Sequence, residues 1–234
     1  MQAPTYLLPQ PPVEKSPEMN QAFEDQWQSI LDNPDGRALE YGLPYPKWQF
    51  LSFLGAHKDV ALHGTANQEI EIVEPRQALD IKEFSKQRAI YATTDGIFAI
   101  FFAILDRGHF PMSLCNTCLQ VRFSPEMTTD PFHFFSITQS ALEQQPFCPG
   151  AVYVLPRQSF ECEQPQPYEG LEILLSQCFS REAVKPLCRL LVEPGDFPFL
   201  AQIHGHDDAI LEARAQADPN GFPWLDEQQP APEA

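Results

Sequence analysis

The chain has 234 residues, 43% of them apolar, with 18 Phe and only 11 Gly. That supplies one substantial core and is too apolar for a disordered polymer. Its 15 Lys and Arg stand against 32 Asp and Glu, a formal charge of −17, which disfavours broad electrostatic binding to nucleic-acid phosphates or anionic membranes.

The first twenty residues lack the apolar stretch of a secretory signal. The longest apolar run, Ile97 to Leu105, is too short to span a bilayer. The six Cys (Cys115, Cys118, Cys148, Cys162, Cys178, Cys188) show no framework spacing. A cytoplasmic protein with reduced thiols and no membrane association is the expectation. Pro4, Pro9, Pro11, Pro12 and Pro17 mark residues 1–17 as an extended, disordered tail, and residues 222–234 read as a second one. A single α+β domain is expected over residues 18–221.

In chain order, Met19 to Asp32 reads as a helix with Phe23, Trp27, Ile30 and Leu31 on one face, stopped by Asn33-Pro34-Asp35-Gly36. Trp48 to Gly55 reads as a second short helix behind Pro46. Val60-Ala61-Leu62 reads as a buried strand that delivers His63 to a loop. Ile70 to Val73 reads as a half-wet strand or an irregular loop, and Ala89 to Ala92 as a further strand. Thr94 or Asp95 then caps a helix over Gly96 to Leu105, apolar on all sides and therefore buried. Short apolar runs at 118–123, 132–137, 151–155, 171–175 and 187–192 read as strands between turn residues. Pro194 to Ile203 and Asp207 to Ala217 read as helices. Strands and helices segregated in this way favour an α+β fold over a doubly wound one.

Leu62-His63-Gly64-Thr65 combines a ring that donates or accepts hydrogen bonds, a glycine that lets a ligand approach the backbone, and a hydroxyl. Ala89-Ile90-Tyr91-Ala92-Thr93-Thr94-Asp95 places a Tyr near a strand end, where its ring can serve as a stacking platform. Arg76, Lys82, Lys86 and Arg88 form the densest cationic stretch, which suits either a phosphate or plain solvation.

In this order and setting, Leu62-His63-Gly64-Thr65 and Ile90-Tyr91-Ala92 resemble the ADP-ribosyltransferase superfamily, in the branch named for a His-Tyr-Glu triad that includes diphtheria toxin and the poly(ADP-ribose) polymerases. The resemblance spans roughly residues 58–193 and implies split mixed or antiparallel sheets with flanking helices. It implies NAD as the substrate, cleaved at the nicotinamide–ribose bond, with ADP-ribose passed to a protein or small-molecule acceptor. By the same resemblance His63 holds a ribose hydroxyl, the Gly64 backbone holds the nicotinamide carboxamide, Thr65 sits near the adenosine ribose and Tyr91 stacks on the nicotinamide. Arg76 is the candidate cation for the nucleotide.

The family also requires a carboxylate that stabilises charge developing at the anomeric carbon. Glu172, placed just before an apolar strand in Gly170-Leu171-Glu172-Ile173-Leu174-Leu175, is the candidate, and Gln177 competes for the place. With Gln177 there, the expectation is a catalytically silent NAD or ADP-ribose pocket. Transfer of an RNA 2′-phosphate to NAD, a related chemistry, is disfavoured by the acidic charge.

Other signals point to no chemistry. His204-Gly205-His206-Asp207-Asp208 holds metal-ligand types but reads as a loop and helix cap. Cys115-Asn116-Thr117-Cys118 is a lone Cys-x-x-Cys entering a strand, a weak zinc signal, and His109 and His133 read as structural. No metal is expected.

Overall fold

Ser16 starts the first helix, α1 (Pro17–Asp32), by accepting a hydrogen bond from the Met19 N–H, with Pro17 in the turn that needs no donor. The computed structural model to which this belongs describes residues 4–13, 16–77, 88–219 and 221–225. α1 buries Met19, Phe23 and Ile30. Leu31, expected on that face, is exposed because it lies about 100° further round the helix from Ile30. α2 (Lys47–His57) follows Pro46 and buries Trp48, Phe50, Leu51 and Leu54.

The strands that build the fold are β1 (Val60–Thr65), β2 (Arg88–Thr93), β3 (Leu114–Ser124), β4 (Phe132–Thr138), β5 (Gly150–Pro156), β6 (Leu171–Leu175), β7 (Gln177–Ser180) and β8 (Cys188–Val192). Between β2 and β3 lies α3 (Gly96–Ala103), and α4 (Asp208–Ala217) follows the last strand segment. The first sheet runs from Leu8–Pro9 through β4, β3 and β6 to Gln166–Tyr168, with His204–His206 added in parallel to β4. The second runs in the order β8, β5, β1, β2, β7 and Glu161–Cys162. Apart from the His204–His206 pairing, the ladders of both sheets are antiparallel. The fold is therefore α+β, with two antiparallel sheets and few helices.

α3 is apolar all round because both sheets cover it. It packs in one cluster with Leu62, Val152 and Val154 of the second sheet and with Cys118, Phe135 and Ile137 of the first. Asp95 is its cap, accepting from the Phe98 N–H at 2.7 Å. The two sheets also share one length of chain. β6 pairs with β3, β7 pairs with β2, and only Ser176 separates them.

Several expectations are corrected. β1 does not end at Leu62; His63, Gly64 and Thr65 are inside it, paired with Tyr153, Val152 and Ala151 of β5. Of the two readings for residues 70–73 the irregular loop holds, with a single bridge from Val73 to Val184. Pro194 to Ile203, broken by Gly195 and Pro198, forms only two short 3-10 turns. Leu8–Pro9 pairs with β4, and the Phe222 ring packs edge-on against Phe134, so apolar contacts extend beyond both boundaries drawn for the domain. Residues 1–3, 14–15 and 226–234 of the two tails, and Lys82 and Lys86 of the cationic stretch, lie outside the described residues. Cys162 and Cys178, expected as thiols, are direct cross-strand partners and form a disulfide, while Cys115, Cys118, Cys148 and Cys188 are free. Among the described residues no helix is long and apolar enough to cross a membrane.

Candidate functional site

β1 and β2 part almost as soon as they meet. Leu62 pairs with Thr93, and no further pair follows. Further along β2, Arg76 and Gln77 take over as partners of Ala89 and Arg88. The Tyr91 carbonyl therefore faces a gap in the ladder. His63 fills it: Nδ1 lies 2.7 Å from that oxygen. A carbonyl only accepts, so Nδ1 carries the proton and, in the neutral ring, Nε2 carries the lone pair. Burial pushes the His63 pKa down, the bond to Tyr91 works the other way, and the nearby Arg76 charge lowers it again. The ring is thus held neutral, with Nε2 as an acceptor.

The pleat assigns the side chains around this gap to two faces. His63 and Thr65 lie on the face of Tyr153, whose hydroxyl accepts from the Ile70 N–H at 2.9 Å and donates to the Asn67 carbonyl at 3.0 Å, pinning the loop after β1. The Thr65 hydroxyl accepts from the Asn67 N–H at 3.2 Å and helps start that loop. Gly64 lies on the other face, against α3, where a Cβ would overlap the Ala99 carbonyl. Tyr91 shares the α3 face with Thr93 of its own strand and with its cross-strand partner Phe179. His63 and Tyr91 thus border the gap from opposite sides.

Gln177 and Glu172 are separated by the fold. Gln177 pairs with Thr93, so β1, β2 and β7 present His63, Tyr91 and Gln177 on three adjacent strands. Glu172 lies in the first sheet, opposite Arg122, and Arg122 Nε donates to its Oε2 at 2.6 Å. Five residues of nearly extended chain put it roughly 16 Å from Gln177. The position before a strand that made Glu172 a candidate is instead a position within β6. The next side chain in the Tyr91–Phe179 row, Glu161, is bound by Arg181 at 2.7 Å. Two open surface hollows lie elsewhere, one of about 510 Å³ beside Glu172 and one of about 490 Å³ beside Lys185.

Two polar clusters were invisible in the sequence. Asp95, Cys118 and His133, far apart in the chain, come together in the core. His206 lies between Ser136 (Oγ 2.6 Å from Nδ1) and Ser113 (Oγ 2.7 Å from Nε2), and the Ser113 hydroxyl donates to Asp208 at 2.7 Å. That chain of donors uses the Ser113 proton on Asp208, so the His206 ring does not act as its base. Asp207 caps α4, in keeping with its place in the sequence. Cys115 and Cys118 do not cooperate. Three residues apart on one strand, they face opposite sides, Cys115 toward Phe134 and Leu211, Cys118 toward α3.

No known protein family, curated protein or solved structure matches the chain.

Proposed function

We propose that the chain binds NAD or a related ADP-ribosyl nucleotide at the parting of β1 and β2, on an ADP-ribosyltransferase-like fold, and that it holds the nucleotide without cleaving it. The observation that carries the reading is the strand order β1, β2, β7, which sets His63, Tyr91 and Gln177 on adjacent strands around the gap, Tyr91 and Gln177 on the α3 face and His63 on the other, so that a nucleotide held by them lies across the gap. In this reading the neutral His63 ring accepts from a ribose hydroxyl through Nε2, Thr65 and the Gly64 backbone line the adenosine and carboxamide ends, Tyr91 supplies a stacking face and Arg76 faces the diphosphate.

The silent form is favoured over the transferase by charge. Breaking the nicotinamide–ribose bond builds positive charge at the anomeric carbon, and a carboxylate beside it provides the stabilisation. Gln177 is neutral, Glu161 is committed to Arg181, and Glu172 belongs to the other sheet. Accommodation of NAD as a substrate, with an acceptor for ADP-ribose, is the reading this displaces.

Calorimetry and thermal unfolding with NAD and ADP-ribose test the proposal. A ligand at a hundredfold excess over its Kd adds about 2.7 kcal/mol, a melting shift of several degrees. Binding by the wild type, lost in His63→Asn and Tyr91→Ala and unaccompanied by nicotinamide release, is the expected result. Release of nicotinamide by the wild type restores the transferase. No shift with either nucleotide at millimolar concentration ends both readings.

A further inference from the structure

We propose that Asp95, Cys118 and His133 form a binding site for one zinc-like divalent cation, which ties the two sheets together at the start of α3. Cys118 and His133 are directly opposite on β3 and β4, so their side chains leave the first sheet side by side. Asp95 reaches them from the second sheet, two residues beyond the end of β2. One ligand atom from each lies within 4.8 Å of the others, and His133 Nε2 is 3.1 Å from Asp95 Oδ1. A tetrahedral cation with bonds of roughly 2.0–2.3 Å holds its ligand atoms roughly 3.5 Å apart, so small side-chain shifts close the site.

Burial argues for a cation as strongly as spacing does. Relative exposures are 0% for His133, 1% for Cys118 and 6% for Asp95. The Phe98 N–H at the start of α3 offsets part of the cost of burying the Asp95 carboxylate, and a bound cation adds to it. A divalent ion bound by one carboxylate, one thiolate and one neutral imidazole leaves the cluster with no net charge. His133 Nδ1 is also buried with no hydrogen-bond partner among the described residues, so Asp95 makes the ring's one polar contact. Mixed sulfur, nitrogen and oxygen donors suit zinc and cobalt, and not magnesium or calcium. The Ser176 N–H donates to the Cys118 carbonyl at 3.3 Å, which puts this residue beside the cluster.

The experiment is cobalt titration of the full untagged chain after chelator treatment. The expected result is one tetrahedral cobalt per chain with a thiolate-to-cobalt charge-transfer band, displaced by zinc. That band is lost in Cys118→Ser and His133→Ala and kept in Cys115→Ser, whose thiol faces the other way. Absence of the band in folded wild-type protein overturns the proposal, and so does its survival in Cys118→Ser. X-ray absorption on the zinc-loaded wild type decides the matter even if the variants do not fold. One sulfur and one imidazole nitrogen bound directly to the zinc support the site, and any other sulfur count refutes it.

Discussion

The His63 Nδ1–H donates to the Tyr91 carbonyl at 2.7 Å, and this side chain stands in for the backbone pairing that β1 and β2 abandon after Leu62 and Thr93. Removing it takes one hydrogen bond from a partly dry gap. His63→Ala is therefore expected to lower stability by about 0.5–1.5 kcal/mol, the usual net contribution of one such bond. His63→Asn, whose amide can still donate, is expected to lose less. Urea unfolding of the two variants measures this, and equal losses would show that the bond contributes nothing.

Acid should weaken the fold through its histidines. Burial lowers the pKa of His63, His204 and His206 from 6.5. For His206 the charges of Asp208 and Asp207 oppose the shift. A base with a lowered folded pKa binds fewer protons folded than unfolded, so its contribution is complete above about 6.5 and is lost as pH falls toward the folded values. The wild-type unfolding midpoint is expected to decline below about pH 6.5, and His63→Asn to decline less steeply. Parallel pH profiles for the two proteins would remove His63 from the effect.

Much of the fold can be read from local pattern. The all-apolar run after Asp95 announces a buried helix, and the short apolar runs announce strands, because one side-chain period determines each. What local pattern does not carry is pairing. Nothing local says that β1 leaves β2 at Leu62, or that Ser176 divides one strand between two sheets, and these two facts decide that Gln177 and not Glu172 lies beside Tyr91. The cluster of Asp95, Cys118 and His133 is hidden for the same reason. Its members are distant in sequence and adjoin only through the register of β3 and β4.

Gly64 reads in the sequence as a ligand-facing backbone, and the structure adds a packing requirement. A Cβ there overlaps the Ala99 carbonyl in α3, a backbone atom that cannot rotate away. Gly64→Ala is expected to cost more than about 3 kcal/mol or to abolish soluble expression. A Gly64 variant is thus a poor probe of nucleotide binding, and thermal melting is the measurement to make first. Wild-type stability in Gly64→Ala would mean that α3 sits further from β1.

Glu172 makes the opposite case. Its bond to Arg122 is short, but half the carboxylate side chain is exposed, and exposed pairs contribute little. Glu172→Gln is expected to change stability by less than about 1 kcal/mol and to leave nucleotide binding unaltered. A loss of binding in this variant, with the fold intact by circular dichroism, would return Glu172 to the site.

The disulfide bears on the site more directly than the ion pair does. Cys178 lies between Gln177 and Phe179 and pairs with Ala92, so the link to Cys162 fastens the outer edge of the strand that carries Gln177. It closes a loop of 16 residues in sequence separation, for which the loss of unfolded-chain entropy amounts to about 3 kcal/mol. A Cys162→Ser, Cys178→Ser double variant is expected to lose about 2–4 kcal/mol. The loosening should be local. Amide exchange should accelerate at Gln177 to Ser180, while the six-pair ladder of β1 with β5 stays protected, because that ladder lies on the far side of β2. Unchanged exchange along β7 in the double variant would mean that the pairing with β2 holds Gln177 in place by itself.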